Sequence, residues 1–454
     1  MIVPETRYLL TQDGVYIAYQ VVGDGPVDIA VEFHAQESNV DLMWDEPDWR
    51  PFLVGISEMA RLIVHDRRGL GVSSRNVPPP NLETQVADTI AVLDHVGSRR
   101  PVLVGANLSA APLILLAATY PERVLGIVWN NPTARGAWAP DYPWGDTEQM
   151  YEEELAAAAE RWGSAAHGSD IAVSRAAERM GIAGQPNQAE HQPREVNRYG
   201  RIVRNSASPD VARELARSWH ETDVRPLLPL VQSRTHLVTG TLDPVEETRH
   251  IASLMPNATV HVIEGRSGVA YEPFERILRS FGGTTTAPVA DSVLKAVLFT
   301  DLVGSTARQA QLGDRAWNVL LEQHHALVRD SLVRYRGQEQ DTAGDGFFAA
   351  FDGPAGAIRC AREIIDAIDD LGLEMRAGIH VGECEVIDGK ISGLTVTIAA
   401  RIAARAGSAQ LLTSQTVRDL VAGSGFRYED AGRHELKGVP GTWQLWSVGQ
   451  PSVR

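Results

Sequence analysis

Two aspartates in the C-terminal part of the chain have the surroundings of metal ligands. Asp301 ends an apolar run in AVLFTDLVGST at 296–306, and Asp345 lies between two glycines in TAGDGFFAAF at 342–351. Carboxylates on neighbouring strands can hold two divalent cations, and a helix N-terminus beside them can bind an anion. The pattern predicts a site for a nucleoside triphosphate with its metal ions. The small residues expected to face its phosphates are Gly304, Ser305 and Thr306.

The elements predicted around these aspartates form a compact α+β domain. Short apolar runs alternate with segments of helical spacing, and the charged motifs fall at strand ends, where ligand sites are common. Strands are predicted at 294–299, 347–351, 375–381 and 410–413, and helices at 307–334, 355–371, 396–405 and 415–421.

These motifs resemble those of class III nucleotidyl cyclases over about 291–448. The resemblance implies that Arg376, in MRAGIHVGE, and Lys437, in HELKGVPG, bind the triphosphate. It also implies that Arg401, in TVTIAARIA, stabilises charge on the α-phosphate in the transition state. Thr397 stands where the family has an asparagine that orients the ribose, so slower turnover is expected.

The same resemblance implies two Mg²⁺ or Mn²⁺ ions in each active site. In this family the metal-binding acids come from one protomer and the transition-state arginine from the other. A homodimer joined through the cyclase region is therefore expected to be the active form.

The base-reading positions carry exchanged charges. Adenylyl cyclases of this family have a lysine for adenine N1 where this chain has Asp341, and an aspartate for N6 where it has Lys390. Guanine would offer N1–H and its amino group to a carboxylate and O6 to a lysine, so hydrogen bonding favours GTP. Cyclases fused to hydrolase domains favour ATP, and Asp388 could replace Lys390 after a small loop shift. We expect ATP, with GTP as the alternative.

The segment VLVGANLSAAP at 102–112 has the strand, sharp turn and helix of a nucleophile elbow. It resembles the α/β-hydrolases over about 5–281, with Asp243 in TGTLDP matching the triad acid. Asn107 replaces the nucleophilic serine, and Gly268 stands where the histidine would fall. An amide cannot be deprotonated to attack an acyl carbon, so the hydrolase-like region is expected to be inactive.

The N-terminal region is predicted to be an α/β domain with a parallel-dominated sheet. Helical segments such as 82–96 separate its apolar runs, and a helix-rich stretch at 136–226 is expected to form a cap. The sequence GGTTTAPVA at 282–290 is interpreted as a linker between domains at 1–281 and 291–454. Strands are predicted at 29–33, 62–65, 102–105, 127–130, 236–239 and 260–263.

Composition excludes several classes of function. A net charge of −16 argues against nucleic-acid binding, which requires a basic surface. Cys360 and Cys384 are the only cysteines, so no disulfide framework is expected, and a cytoplasmic location is predicted. The apolar stretch 102–119 is interrupted by polar residues and proline, so no membrane span is predicted.

The expected function is conversion of ATP to 3′,5′-cyclic AMP and pyrophosphate. The hydrolase-like region is expected to act as a sensor or scaffold, with a small apolar ligand as a candidate occupant of its pocket. Two alternatives stay open: a guanylate cyclase, and a non-enzymatic ligand sensor. A working esterase is disfavoured by Asn107 and Gly268.

Overall fold

A computed structural model describes residues 4–35, 38–46, 49–77, 80–164, 193–265, 267, 271–282, 292–387 and 390–449. The chain divides into two compact units, Met1–Val289 and Ala290–Arg454. Among the helices in these ranges, none combines the length and the apolarity that crossing a bilayer requires.

An eight-stranded sheet forms the centre of the first unit. Its order is β1-β2-β4-β3-β5-β6-β7-β8, antiparallel from β1 to β4 along this order and parallel from there to β8. The six predicted strands are present, but the hairpin β1–β2 was not predicted because its first strand is short and exposed. The strands are β1 Arg7–Leu10, β2 Tyr16–Val22, β3 Asp28–Val31, β4 Arg61–His65, β5 Val102–Ala106, β6 Gly126–Asn130, β7 Arg234–Gly240 and β8 Ala258–Ile263.

Helices α4 to α6 are inserted between β6 and β7, in the stretch for which a cap was predicted; residues 165–192 of that stretch lie outside the described ranges. Thr147 and Ser208 cap α4 and α6 by accepting hydrogen bonds from main-chain amides. The helices of this unit are α1 Trp49–Met59, α2 Leu82–His95, α3 Ala111–Thr119, α4 Glu148–Arg161, α5 Pro193–Ser206, α6 Pro209–Glu221, α7 Val245–Ser253 and α8 Tyr271–Arg279.

A buried carboxylate, Asp66, organises the loop that follows β4. It accepts hydrogen bonds from Ser38 Oγ at 2.9 Å and from the amides of Val40 and Val72 at 3.0 and 2.8 Å. Burial raises the pKa of Asp66 to about 6. Gly71 has a φ of +54°, and a Cβ there would lie 2.1 Å from the carboxylate, so only glycine fits this turn.

The second unit is built on another sheet, with order β10-β11-β9-β12-β14-β16-β15. Only β12 and β14 pair in parallel, and the short strand β13 pairs with β12 outside this order. The strands are β9 Ser292–Leu302, β10 Gln338–Ala343, β11 Gly346–Phe351, β12 Met375–Ile387, β13 Lys390–Ser392, β14 Leu411–Ser414, β15 Tyr428–Glu435 and β16 Thr442–Val448.

The helix predicted at 307–334 is in fact two helices. Gly313 adopts a φ of +75°, which ends the first helix and starts the second. Helical spacing continues across the break, so periodicity alone did not detect it. The helices of this unit are α9 Ser305–Leu312, α10 Asp314–Arg334, α11 Pro354–Ile368, α12 Leu394–Ala403 and α13 Gln415–Leu420.

The two faces of this sheet are covered by different helices. On one, here called the α10 face, Phe347 contacts His324 and His325 of α10. On the other, the α12 face, Phe299 and Phe348 stack at 4.8 Å and pack near α12. The strand residues of these two faces alternate, as the pleat requires.

Two glycines allow α12 to lie directly on β12. A Cβ at Gly378 would lie 2.2 Å from the amide nitrogen of Ala403, and one at Gly382 would lie 2.5 Å from Oγ1 of Thr395. Both glycines belong to the segment RAGIHVG at 376–382, whose alternate residues therefore face α12.

His324 is a neutral imidazole in the core of the second unit. Neither of its ring nitrogens has a hydrogen-bond partner among the described residues, and burial lowers its pKa to about 4. The ordinary pKa near 6.5 applies to the unfolded chain, which therefore binds more protons than the folded chain between about pH 6.5 and 4. Stability should be fully present above this window and lost as the pH falls through it.

We expect His324→Leu to remove part of this acid sensitivity. The wild-type free energy of unfolding should fall by about 1–2 kcal/mol more than that of the variant between about pH 7.5 and pH 5. Urea denaturation of the full chain at both pH values measures the difference. Val333→Leu, at an exposed position of the same helix, is the control and should keep the wild-type pH dependence, because it removes no titratable group. Equal pH dependence in all three chains would contradict the prediction.

Candidate functional site

The two aspartates singled out in the sequence lie at the same end of neighbouring strands. Asp301 is near the end of β9, and Asp345 immediately precedes β11. Phe347 pairs with Thr300 in antiparallel register, which brings both carboxylates to one edge of the sheet. By alternation from Phe299, Asp301 faces the α12 side.

The acidic pair has the chemistry needed for divalent cations. Oδ2 of Asp345 is buried and has no hydrogen-bond partner among the described residues, so a positive ion would satisfy an acceptor that is otherwise unpaired. The described ranges hold no group of three or more histidine, cysteine or acidic side chains arranged so that they could bind a metal ion together. Oxygen ligands from a substrate or water would therefore have to complete any coordination shell.

Arg376 lies directly beside Asp301. The two residues are paired across β12 and β9, and Nε of Arg376 donates to Oδ2 of Asp301 at 2.9 Å. Both side chains keep a third or more of their surface exposed. A guanidinium in this position can reach an anion that approaches the acidic pair.

The turn after β9 leads into the N-terminus of α9. Gly304 has a φ of +70°, and the first amide bonded back into the helix is that of Arg308, to the carbonyl of Gly304. The amides of Ser305 and Thr306 are therefore among those without an intrahelical acceptor. They are suited to binding phosphate, as the sequence predicts.

A second group of predicted residues gathers on α12 and the loop before β16. Nε of Arg401 donates to the main-chain oxygen of Lys437 at 3.1 Å, and both side chains are exposed. Thr397 lies one turn before Arg401 on the same face of α12. Within the described ranges, no hydrogen bond or ion pair joins Arg401 or Lys437 to the acidic pair.

Asp341 and Lys390 are exposed residues of two different strands. Asp341 lies on β10 opposite Phe348, which places it on the α12 face, and Lys390 begins β13. Neither side chain has a hydrogen bond or ion pair within the described residues. Asp388, the alternative to Lys390, lies outside them.

Sequence reasoning missed a set of residues that hold the β10–β11 hairpin against α10. His325 lies 2.9 Å from the carbonyl of Gly344, next to Asp345. Arg329, one helical turn later, forms a two-point contact with Glu339 at 2.8 and 2.9 Å. Arg329 and Thr342 together lower the pKa of Glu339 to about 2. The i, i+4 spacing of His325 and Arg329 was the available signal.

The first unit contains the predicted elbow without a nucleophile. Asn107 has a φ of +48°, the strained conformation expected at that turn, and its carbonyl accepts from Nε1 of Trp129 at 2.6 Å. A Cβ at Gly105 would meet Ala110 at 2.9 Å, which explains the glycine there. The backbone of the elbow is thus retained while its side-chain chemistry is changed.

Asp243 is bonded within the loop that would carry a catalytic histidine. Its Oδ2 accepts from the amide and the hydroxyl of Ser267, each at 2.6 Å, and from the amide of Gly240 at 3.0 Å. Asn130 donates to the carbonyl of Ser267 at 2.9 Å. Gly268 itself lies outside the described residues. Asp243 therefore anchors the loop through a serine.

Comparison with protein families agrees with both topologies. The model of the alpha/beta hydrolase fold matches residues 39–267, and that of the adenylate and guanylate cyclase catalytic domain matches residues 289–449. The chain joins an α/β-hydrolase domain to a class III nucleotidyl cyclase domain. This confirms the family and fold class predicted from the sequence.

Curated relatives of this chain are similar to part of its length. Adenylate cyclase 2 of Rhizobium meliloti is 30% identical over 169 residues, which cover 32% of this chain and 47% of that protein. The chain spans 28% and 65% of the length of two further curated relatives.

Two solved structures are similar to parts of the chain. The adenylyl cyclase CyaB of P. aeruginosa is 21% identical, with a TM-score of 0.34, and covers 36% of this chain and 96% of its own. A hydrolase from Pseudomonas aeruginosa is 22% identical, with a TM-score of 0.46, over 62% of this chain and 98% of its own.

We expect His325→Leu to weaken metal binding at the acidic pair of the cyclase domain. Loss of the contact to Gly344 frees the turn that carries Asp345, and removal of such supporting contacts commonly costs about tenfold in metal affinity. Titration of the full chain with Mn²⁺, followed by electron paramagnetic resonance, measures the change. The control His95→Leu should bind Mn²⁺ with the wild-type affinity. An unchanged Mn²⁺ affinity in His325→Leu would show that His325 does not support the turn that carries Asp345.

Proposed function

We propose that the cyclase domain converts ATP to 3′,5′-cyclic AMP and pyrophosphate at a site shared by two copies of the chain. The observation that carries the proposal is the acidic pair, Asp301 and Asp345, at one edge of the sheet, with an unpaired buried oxygen on Asp345. The name of the Rhizobium relative supports adenine as the base.

In the proposed reaction the ribose 3′-oxygen forms a bond to the α-phosphorus. The bond from that phosphorus to the oxygen bridging to the β-phosphate breaks, pyrophosphate leaves, and the 3′-hydroxyl proton passes to solvent. Two Mg²⁺ or Mn²⁺ ions held by Asp301 and Asp345 would lower the pKa of the attacking hydroxyl and neutralise charge on the leaving group.

The chain's own cations have separate tasks in this proposal. Arg376 and the amides of Ser305 and Thr306 bind the terminal phosphates beside the acidic pair. Arg401 and Lys437 bind the triphosphate from the other copy, with Arg401 stabilising the charge that develops on the α-phosphate. The lack of any described bond between Arg401 and the acidic pair supports this division, because each chain then supplies one half of each site.

GTP is the second candidate substrate. The exposed carboxylate of Asp341 on the α12 face, with no hydrogen-bond partner among the described residues, supports it, since guanine offers donors to an acceptor at that position. Adenine N1 is itself an acceptor and would face Asp341 unfavourably.

The hydrolase domain is proposed to serve as an inactive sensor or scaffold that holds a small apolar ligand under its helical cap. Asn107 cannot act as a nucleophile, and Asp243 is engaged by Ser267. A non-enzymatic sensor in both domains is the alternative to the whole proposal. The test is to incubate the purified chain with Mn²⁺ and ATP or GTP and to measure the cyclic product. Formation of cyclic product supports the cyclase, and its absence supports the non-enzymatic sensor.

Complementation tests the shared site. Asp301→Asn and Arg401→Ala should each lose at least ~10²-fold in rate, because each removes a charge from every site. When the two variants are mixed, half of the dimers are mixed and each has one intact site, so about a quarter of the wild-type rate should return. Cyclic nucleotide formation measures this.

The control mixture combines Asp301→Asn with Asp345→Asn. Both changes lie in the same half-site, so this mixture should stay inactive. Recovery in the control, or none in the test mixture, would show that the site is not shared in the proposed way.

Exchange of the base-reading charges tests substrate choice. Asp341→Lys combined with Lys390→Asp restores the arrangement typical of adenylyl cyclases and should raise the ratio of ATP to GTP use by about tenfold or more. The kcat/KM values for both nucleotides measure it. An unchanged ratio of the two kcat/KM values would show that Asp341 and Lys390 do not select the base.

A further inference from the structure

Strand β10 contains an irregularity next to a base-reading residue. Glu339 pairs with Ala349, but Asp341 pairs with Phe348, so Gln340 has no partner on β11 and forms a β-bulge. The bulge shifts the side-chain alternation of the strand by one residue.

This shift decides which face Asp341 occupies. Glu339 contacts Arg329 and Thr342, and all three lie on the α10 side. Regular alternation from Glu339 would place Asp341 on the α10 side as well. With the bulge, Asp341 lies opposite Phe348 on the α12 face, the face of Asp301.

The side chain of Gln340, the bulged residue, also forms a hydrogen bond outside the main-chain ladders of the sheet. Oε1 of Gln340 accepts a hydrogen bond from the amide of Ile391 at 3.0 Å. Ile391 is buried on β13, in the cluster with Phe348 and near α12, and β13 itself pairs only with β12. This one side chain therefore ties β10 to β13.

Both base-reading residues are adjacent to this bond. Asp341 follows Gln340, and Lys390 precedes Ile391. We infer that Gln340 is a positioning residue for nucleotide-base selection: its bulge turns Asp341 onto the α12 face, and its amide oxygen fixes β13, which carries Lys390. The inference rests on the proposed function, because it assigns Asp341 and Lys390 to the base.

Three variants of the full chain test the inference. Gln340→Met keeps the length of the side chain but removes the acceptor, and Gln340→Glu retains an acceptor oxygen. Gln338→Met is the matched control, because Gln338 lies on the same strand and is exposed, and its side chain has no hydrogen bond among the described residues. Binding of α,β-methylene ATP and GTP analogues with Mn²⁺ gives the ratio of the two Kd values without turnover. Hydrogen–deuterium exchange of the 390–392 segment reports the bond itself.

In Gln340→Met we expect the ratio of the Kd values for the ATP and GTP analogues to lie about five- to tenfold closer to one than in the wild type. We also expect faster hydrogen–deuterium exchange at the amide of Ile391. Gln340→Glu should keep the wild-type exchange, and Gln338→Met should match the wild type in both measurements. A ratio within about twofold of wild type in Gln340→Met overturns the inference even if exchange is faster, since the bond would then only join two strands. Unchanged exchange in Gln340→Met, or no base preference in the wild type, overturns it too.

The same experiments distinguish a failure of the cyclase proposal from a failure of the role inferred for Gln340. A wild-type chain that binds both analogues but forms no cyclic product contradicts the cyclase proposal and leaves the Kd ratio as the test of Gln340. A chain that binds neither analogue overturns both.

Discussion

The antiparallel register of β9 with its two neighbours is the constraint on which the cyclase domain depends. It aligns Asp301 with Arg376 on β12 and brings Asp345 to the same edge through β11. The position of Arg376 beside Asp301 follows from that register, and the buried Oδ2 of Asp345 has no hydrogen-bond partner among the described residues.

Other parts of the domain hold this edge in place. Gly378 and Gly382 let α12 lie against β12, which sets the position of Arg401, while α10 supports the hairpin through His325 and Arg329. The acidic pair is thus carried by β9 and the turn before β11, whereas Arg401 lies on α12 and Lys437 on the loop before β16.

The hydrolase domain has the backbone of a nucleophile elbow with an asparagine, Asn107, at the turn. The strained elbow at Asn107 is retained, although strain of this kind is usually kept to aim a nucleophile. Asp243 now holds Ser267 by two short hydrogen bonds. The backbone geometry of this domain therefore does not assign an activity to it by itself.

The sequence alone determined both families, most strands and the residue types of the site, because motifs such as FTDLVGST and RAGIHVG combine periodicity with chemically specific residues. The break at Gly313 and the bulge at Gln340 were decided only by the tertiary structure. Periodicity does not register a single inserted residue, and the contacts of His325, Ser267 and Ile391 join segments far apart in the chain. Such contacts form only when the strands are packed, so no local pattern encodes them.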